Sequence, residues 1–271
     1  FSASAGYRYL ADNNTLFRGE GNPYVRFNLV YGDPFDGATT KPYDYFTLDA
    51  TFGLSSNQPF ITGLHLLGRL WSVPVEVTKG TEMEFGIFQH FNYYDSQPVK
   101  DGTSLVPYRI SEAASVGPGI IYRFPQVGNL TKLEQRIFVD GILLGGSLTD
   151  YYNVIDRDYN MGSGYSVKAV SLMEFGKMAS FQIGADYYRI FTWKGYEGKD
   201  LATTDPLYLN AQGDKGNASL LVVNARFGMA LSSRLKLDFN VSNYWRDTYY
   251  SYHDDVRSKT FDLSLGLQYQ F

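Results

Sequence analysis

From Phe261 to Phe271 the chain alternates without a fault. Phe261, Leu263, Leu265, Leu267, Tyr269 and Phe271 occupy one parity, and Asp262, Ser264, Gly266, Gln268 and Gln270 the other. Successive side chains of an extended strand point to opposite faces, so this stretch is a strand with one apolar and one polar side. A helix would scatter the same residues around its circumference.

The pattern recurs upstream. Leu221, Val223, Ala225, Phe227, Met229 and Leu231 stand against Asn224, Arg226 and Gly228; Leu235, Leu237, Phe239 and Val241 stand against Lys236, Asp238 and Asn240. Further strands are centred on Phe181–Tyr187, Tyr165–Phe175 and Leu133–Leu143, and in the first half on Phe1–Tyr9, Val25–Tyr31, Phe46–Leu54, Leu64–Leu70, Met83–Ile87 and Val116–Tyr122. The count is twelve, within a single domain spanning 1–271. Pro118 is awkward inside a central strand because it donates no ladder hydrogen bond. An even count returns both termini to one end, with short turns there and long loops at the other. The turns at Gly176-Lys177 and Ser232-Ser233-Arg234 and the links 150–163, 194–216 and 247–257 obey that rule. Links 33–42, long where a turn is expected, and 55–59, short where a loop is expected, break it.

Every strand offers an apolar face, and no helix or second layer is visible to cover it. The expectation is therefore an all-β, transmembrane, antiparallel up-and-down barrel with lipid outside and a polar lumen inside. A soluble sandwich, with its apolar face as the core, is the competing reading. Composition fits strands and turns: 23 Tyr, 19 Phe and 27 Gly, with aromatics at 17%. Tyr43, Tyr45, Phe91, Tyr93, Tyr94, Tyr187, Tyr188, Tyr244, Trp245, Tyr269 and Phe271 cluster at strand ends and are expected to form the girdles of such a barrel. Mean hydropathy is −0.25, which alternation alone produces by averaging. The chain has no cysteine, so it lacks disulfides and thiolate metal sites. Its net charge of −4 argues against a nucleic-acid partner. No basic-then-apolar segment opens the sequence, so a mature or trimmed form is expected.

The run Leu263-Ser264-Leu265-Gly266-Leu267-Gln268-Tyr269-Gln270-Phe271 resembles the C-terminal assembly signal of Gram-negative outer-membrane β-barrels. Leu263, Leu265, Leu267, Tyr269 and Phe271 carry that likeness. It implies the cell outer membrane as location, the barrel-assembly machinery as a partner during insertion, and outer-membrane lipid and lipopolysaccharide as surroundings. Residues 19–36 (GEGNPYVRFNLVYGDPFD) are similar to a family of bacterial outer-membrane proteins of unknown function, which implies no activity.

Parity sends Arg26, Asp49, His65, Arg69, Glu82, Glu84, Arg123, Arg136, Asp140, Lys168, Glu174, Asp186, Arg226, Lys236 and Asp238 into the lumen, and Arg8, Lys259 and Asp262 are read the same way. Bases and acids nearly balance. These side chains either line water or pair across the centre and plug it, and twelve strands lie between a filled and an open barrel. The leading expectation is a narrow passage for small hydrophilic solutes or ions. The alternative is a closed scaffold, or a subunit of a surface complex with other outer-membrane proteins, recognised through Tyr151, Tyr152, Tyr196, Tyr208, Tyr249, Tyr250 and Tyr252.

An enzyme ranks third. His253-Asp254-Asp255, with Asp150, Asp156, Asp158 and Asp247, offers a conceivable water-activating group at the barrel mouth, but its spacing does not match the omptin proteases. The register of His90 is ambiguous. It is the one histidine that could interrupt the lipid face as the phospholipases and lipid A deacylases of this size class require, and no serine motif accompanies it. No ligand spacing calls for a metal or cofactor. Gly117-Pro118-Gly119 and Gly145-Gly146 read as strand kinks.

Overall fold

The computed structural model describes residues 1–12, 22–35, 41–55, 60–75, 77–95, 109–149, 160–192, 217–249 and 256–271. They form twelve strands: β1 (Ser2–Asp12), β2 (Asn22–Tyr31), β3 (Phe46–Gly53), β4 (Ile61–Val75), β5 (Glu82–Asp95), β6 (Arg109–Arg123), β7 (Lys132–Thr149), β8 (Asn160–Phe175), β9 (Ala179–Thr192), β10 (Asn217–Ala230), β11 (Leu235–Tyr249) and β12 (Val256–Gln270). Each pairs antiparallel with its neighbours in sequence, and β1 closes on β12 from Ser2↔Gln270 to Asp12↔Thr260. The sheet has no edge, so its backbone groups are satisfied within the ladder, as a strand structure in lipid requires.

The alternation becomes an inside and an outside. Leu265, Leu267, Phe227, Met229, Ile183, Val167, Val139 and Ile137 are exposed on the outer wall. Asp262, Asp238, Lys168, Asp140, Glu134 and Glu84 are buried on the inner one. For a soluble sheet this distribution would be inverted, and a continuous apolar exterior of this size is unfavourable in water. The architecture is that of a transmembrane barrel.

Four irregularities adjust the register: at Thr51/Phe52, Arg69/Trp71, Ala114/Ser115 and Ile142/Gly145. Gly145-Gly146 follows the last of them. Pro118 stays inside β6 facing outward: it pairs with Ile87 of β5, while the β6–β7 ladder steps from Val116↔Gly141 to Gly119↔Phe138. The register is the same on both sides, so the ladder is interrupted only at Gly117 and Pro118, where the proline has no N–H to donate. A glycine pair, Gly86↔Gly119, hollows the inner wall beside it. A Cβ on Gly119 would lie 2.2 Å from the Phe138 ring, which meets Phe88 edge-on at 5.0 Å.

Both termini lie at the end of the barrel that carries the short turns, where the Phe271 amide donates to the Phe1 carbonyl at 3.2 Å. This is called the turn end below; the opposite end is the loop end. The β2–β3 connection, residues 32–45, is the exception among the turns and corresponds to the anomalous link at 33–42. Its described residues fold into the lumen beneath β4–β7. Phe35 packs on Tyr45, Leu67, Phe88, Ile121 and Phe138, a cluster inside the barrel. Its length is thus used as packing inside the lumen. The links holding Asp150, Asp156, Asp158, His253, Asp254 and Asp255, and Tyr151, Tyr152, Tyr196, Tyr208, Tyr250 and Tyr252, lie outside the described residues.

Candidate functional site: the barrel lumen

At the turn end, Arg69 of β4 is the anchor of the inserted connection. Its Nε donates to Asp44 Oδ1 at 2.7 Å, and one terminal nitrogen donates to the Pro34 carbonyl at 2.6 Å and to Glu84 Oε1 at 2.8 Å. The Ser72 hydroxyl also donates to Glu84. Arg69 is 1% exposed, so it braces the connection against β5 and does not face water. Arg123 makes a second brace. It bonds Asp33, Glu82 and Glu134, each at 3.1 Å, and its guanidinium lies 4.2 Å from the centre of the Phe35 ring. Burial pushes the Asp33 carboxyl up, but the Phe35 amide and the Arg123 guanidinium outweigh it and hold the group below the ordinary aspartate range. Glu134, fully buried, also pairs with Arg136 at 2.5 Å and Lys132 at 3.6 Å. An unpaired charge in such a place would be costly, and three cations remove that cost.

Further along, lumen charges pair between neighbouring strands. Arg26 pairs with Asp49 at 2.7 Å, Arg226 with Asp238 at 2.6 Å and Arg8 with Asp262 at 2.8 Å. Lys168 pairs closely with Asp140, whose Oδ2 is also 2.8 Å from His90 Nδ1. Ser115 donates to Asp140 at 3.1 Å and accepts from Lys168 at 3.4 Å. This Ser-His-Asp-Lys cluster contains the residue types of hydrolase chemistry. Ser115 is 1% exposed beneath its partners and away from the cavity, so the group cements β5–β8. His90 therefore points into the lumen, which corrects the expectation that it could interrupt the lipid face. His65 Nδ1 lies 3.3 Å from Asn92 Oδ1.

Between these groups lies a cavity of about 460 Å³ walled by every strand except β6. Arg26, Asp49, His65, Arg136, Lys168, Glu174, Asp186 and Arg226 border it with Asn28, Gln182, Asn224 and Asn240. Its border extends to the turn end, where Val30 is 52% exposed. Lys236 shares the inner parity of Asp238, at the turn end of β11. Among described residues, no three His, Asp or Glu come together as a metal would need.

Towards the loop end the cavity stops at a layer of tyrosines. Tyr94 of β5 lies 6.1 Å from Tyr188 of β9 and 5.7 Å from Tyr244 of β11, ring centre to ring centre. Its hydroxyl donates to Asp186 Oδ2 at 3.0 Å. Ile142, Ile190, Ala218, Leu220 and Val222 pack with them. Strands β5 and β11 are six apart in a ring of twelve, so the tyrosines bridge the lumen.

Two expectations are corrected here. Tyr45, Tyr94, Tyr188 and Tyr244 are lumen residues, not girdle residues; the last three share parity with an inward-facing charge on their own strands, and Tyr45 belongs to the inserted connection. Lys259 stands on the outward row of Phe261 and Leu263, opposite Trp245, and does not line the lumen. The sequence reading also missed Arg246, 1% exposed on the inner row of β11. The parity of Asp238 would have found it.

A closed antiparallel barrel with an apolar exterior and a charged, partly hollow interior is a porin-like architecture. No protein-family model matches the chain, and no curated protein matches it. Among solved structures it is similar to a NanC porin (9% identity, all of both chains covered, TM-score 0.42) and to a KdgM porin (12% identity, 99% of each chain, TM-score 0.37). It is also similar to the outer membrane channel DcaP of Acinetobacter baumannii (10% identity, 100% of this chain and 94% of that one, TM-score 0.33). These are likenesses of chain path at low identity.

Proposed function

We propose that this protein is an integral barrel of the bacterial outer membrane that passes small hydrophilic solutes or ions through a narrow, polar-lined lumen. The observation that carries this reading is the 460 Å³ cavity, bordered by charged and amide side chains and extending to the turn end. A barrel built only as a scaffold has no need of a hydrated interior. Because Arg26, Arg226 and Arg8 are each paired with an acid, the lining sets a weak field and selects solutes mainly by size and hydrogen bonding. The turn end, with its short connections, faces the periplasm in this reading, and the Leu263–Phe271 strand is the segment read by the assembly machinery. The tyrosine layer bridges the lumen, and transport requires it to part.

That layer also favours a second reading, a closed barrel serving as scaffold or subunit of a surface complex. Single-channel recording of the purified chain in planar bilayers, with potassium and chloride gradients, separates the two. Reproducible steps support the passage. A silent barrel that is correctly folded, by its heat-modifiable migration on gels, overturns it in favour of the scaffold.

A further inference from the structure

The outer wall carries basic side chains at a few places, and on the strands they converge. Arg189 of β9, Ser219 of β10, Asp247 of β11 and Arg257 of β12 are cross-strand partners in one outward-facing row near the loop end. In the next row towards the middle, Tyr187, Leu221, Trp245 and Lys259 are likewise in register. Among the described residues, no other outward strand position holds Arg or Lys. With strands about 4.8 Å apart, the upper row spans about 14 Å, wide enough for a headgroup with more than one phosphate.

The depth of the row fits that ligand. Tyr187 and Trp245 sit at the level where amphipathic rings meet headgroups, and apolar rows continue below them. Cations one row further out lie at phosphate depth, their stems running along the wall. Arg189 is held over the Tyr249 ring at 4.7 Å and the Phe191 ring at 5.7 Å, which restricts its side chain before any ligand arrives. Arg257 is 3.5 Å from Asp247 with a side chain 74% exposed, a pair weak enough to leave it available to a stronger anion. Among the described residues of these two rows, three bases stand against one acid, on a chain whose net charge is −4.

We infer that the outward face of β9–β12 near the loop end is a binding site for a phosphorylated lipid headgroup, held by Arg189, Arg257 and Lys259. In the outer membrane that headgroup is the phosphorylated sugar anchor of lipopolysaccharide. The inference rests on the membrane-spanning reading above and not on an open lumen.

The test uses the full chain in phosphatidylcholine nanodiscs doped with diphosphoryl lipid A, with retained lipid counted by native mass spectrometry. Incorporation into the undoped discs reports the membrane reading by itself. The wild type should retain diphosphoryl lipid A, and Arg189→Gln/Arg257→Gln/Lys259→Gln should retain about thirtyfold less. Each single variant should lose about threefold, which keeps the test decisive if the triple variant does not fold. Fully dephosphorylated lipid A should bind wild type no better than the triple variant does, and inorganic phosphate should not displace the lipid. A turn-end control, Lys177→Gln/Arg234→Gln, should behave as wild type. Equal retention by wild type and variants, or of both lipid forms, overturns the site. Displacement by inorganic phosphate overturns the lipid as its ligand.

Discussion

Tyr94 and Tyr244 come from strands on opposite sides of the barrel, yet their rings lie 5.7 Å apart and tilted by 67°. Edge-to-face packing of this kind contributes about 1 kcal/mol beyond the area it buries. That is enough to hold a constriction shut most of the time and little enough to let it open. Tyr94→Ala removes the ring that touches both Tyr188 and Tyr244 and should raise single-channel conductance at least about twofold. Tyr94→Phe keeps the ring and loses the hydroxyl's bonds to Asp186 and to the Tyr188 hydroxyl, so its conductance should stay near wild type while openings become more frequent. Equal conductance in all three proteins would place the constriction elsewhere.

The paired lining makes a directional prediction about selectivity. Asp49 neutralises Arg26 at 2.7 Å on the cavity wall. Asp49→Asn leaves that guanidinium facing the lumen, so the reversal potential in a potassium chloride gradient should move towards chloride. Arg226→Gln, which frees Asp238, should move it towards potassium. Arg69→Glu, although a larger change of charge, is a poor probe of the pore: it breaks the bonds to Asp44, Pro34 and Glu84 and should cost about 3 kcal/mol of stability.

How much of this was legible in the sequence differs between wall and interior. A lipid-facing row admits almost no polar side chain, so the period of two survives intact along Phe261–Phe271 and fixes the strand, its faces and its place in a barrel. The inner wall accepts rings, amides and charges alike. Tyr94, Tyr188 and Tyr244 therefore announced themselves only through parity with Glu84, Asp186 and Asp238. Lys259 shows the converse: it is charged but shares parity with Phe261, and parity decided its face. The inward folding of residues 32–35 and 41–45 has no periodic signal at all. It depends on Arg69 and Arg123 reaching the connection from strands β4 and β6, a contact that local sequence does not encode.

That connection should respond to acid. The Asp33 carboxyl is held below its ordinary range when folded, so the stability it contributes is present above the unfolded value, near 4, and is lost as pH falls through the folded one. Its side chain is 44% exposed, which keeps the effect small. Below about pH 4 the connection should loosen from Arg123, seen as increased current noise from the turn-end side or faster hydrogen exchange at Phe35. Asp33→Asn should show the same behaviour at neutral pH, and a noise level independent of both changes would detach Asp33 from this role.

The glycine hollow beneath Phe138 gives the sharpest test of interior packing. A Cβ at Gly119 would meet Phe138 at 2.2 Å and Phe88 at 3.0 Å, and making room forces these rings to shift against each other and against Tyr45 and Ile121. Gly119→Ala should therefore destabilise the barrel by about 2 kcal/mol through overpacking, although alanine is ordinarily the better strand residue. Gly128 makes the control, because nothing lies within 4 Å of a Cβ there and its φ of 57° carries only the backbone strain of a turn. Folding into liposomes against urea should rank Gly119→Ala below Gly128→Ala. Phe138→Leu placed on top of Gly119→Ala should recover part of the loss, since the smaller side chain vacates the volume that the methyl group needs. No recovery in the double variant would show that the strain lies in the β6 backbone and not between the methyl group and the ring.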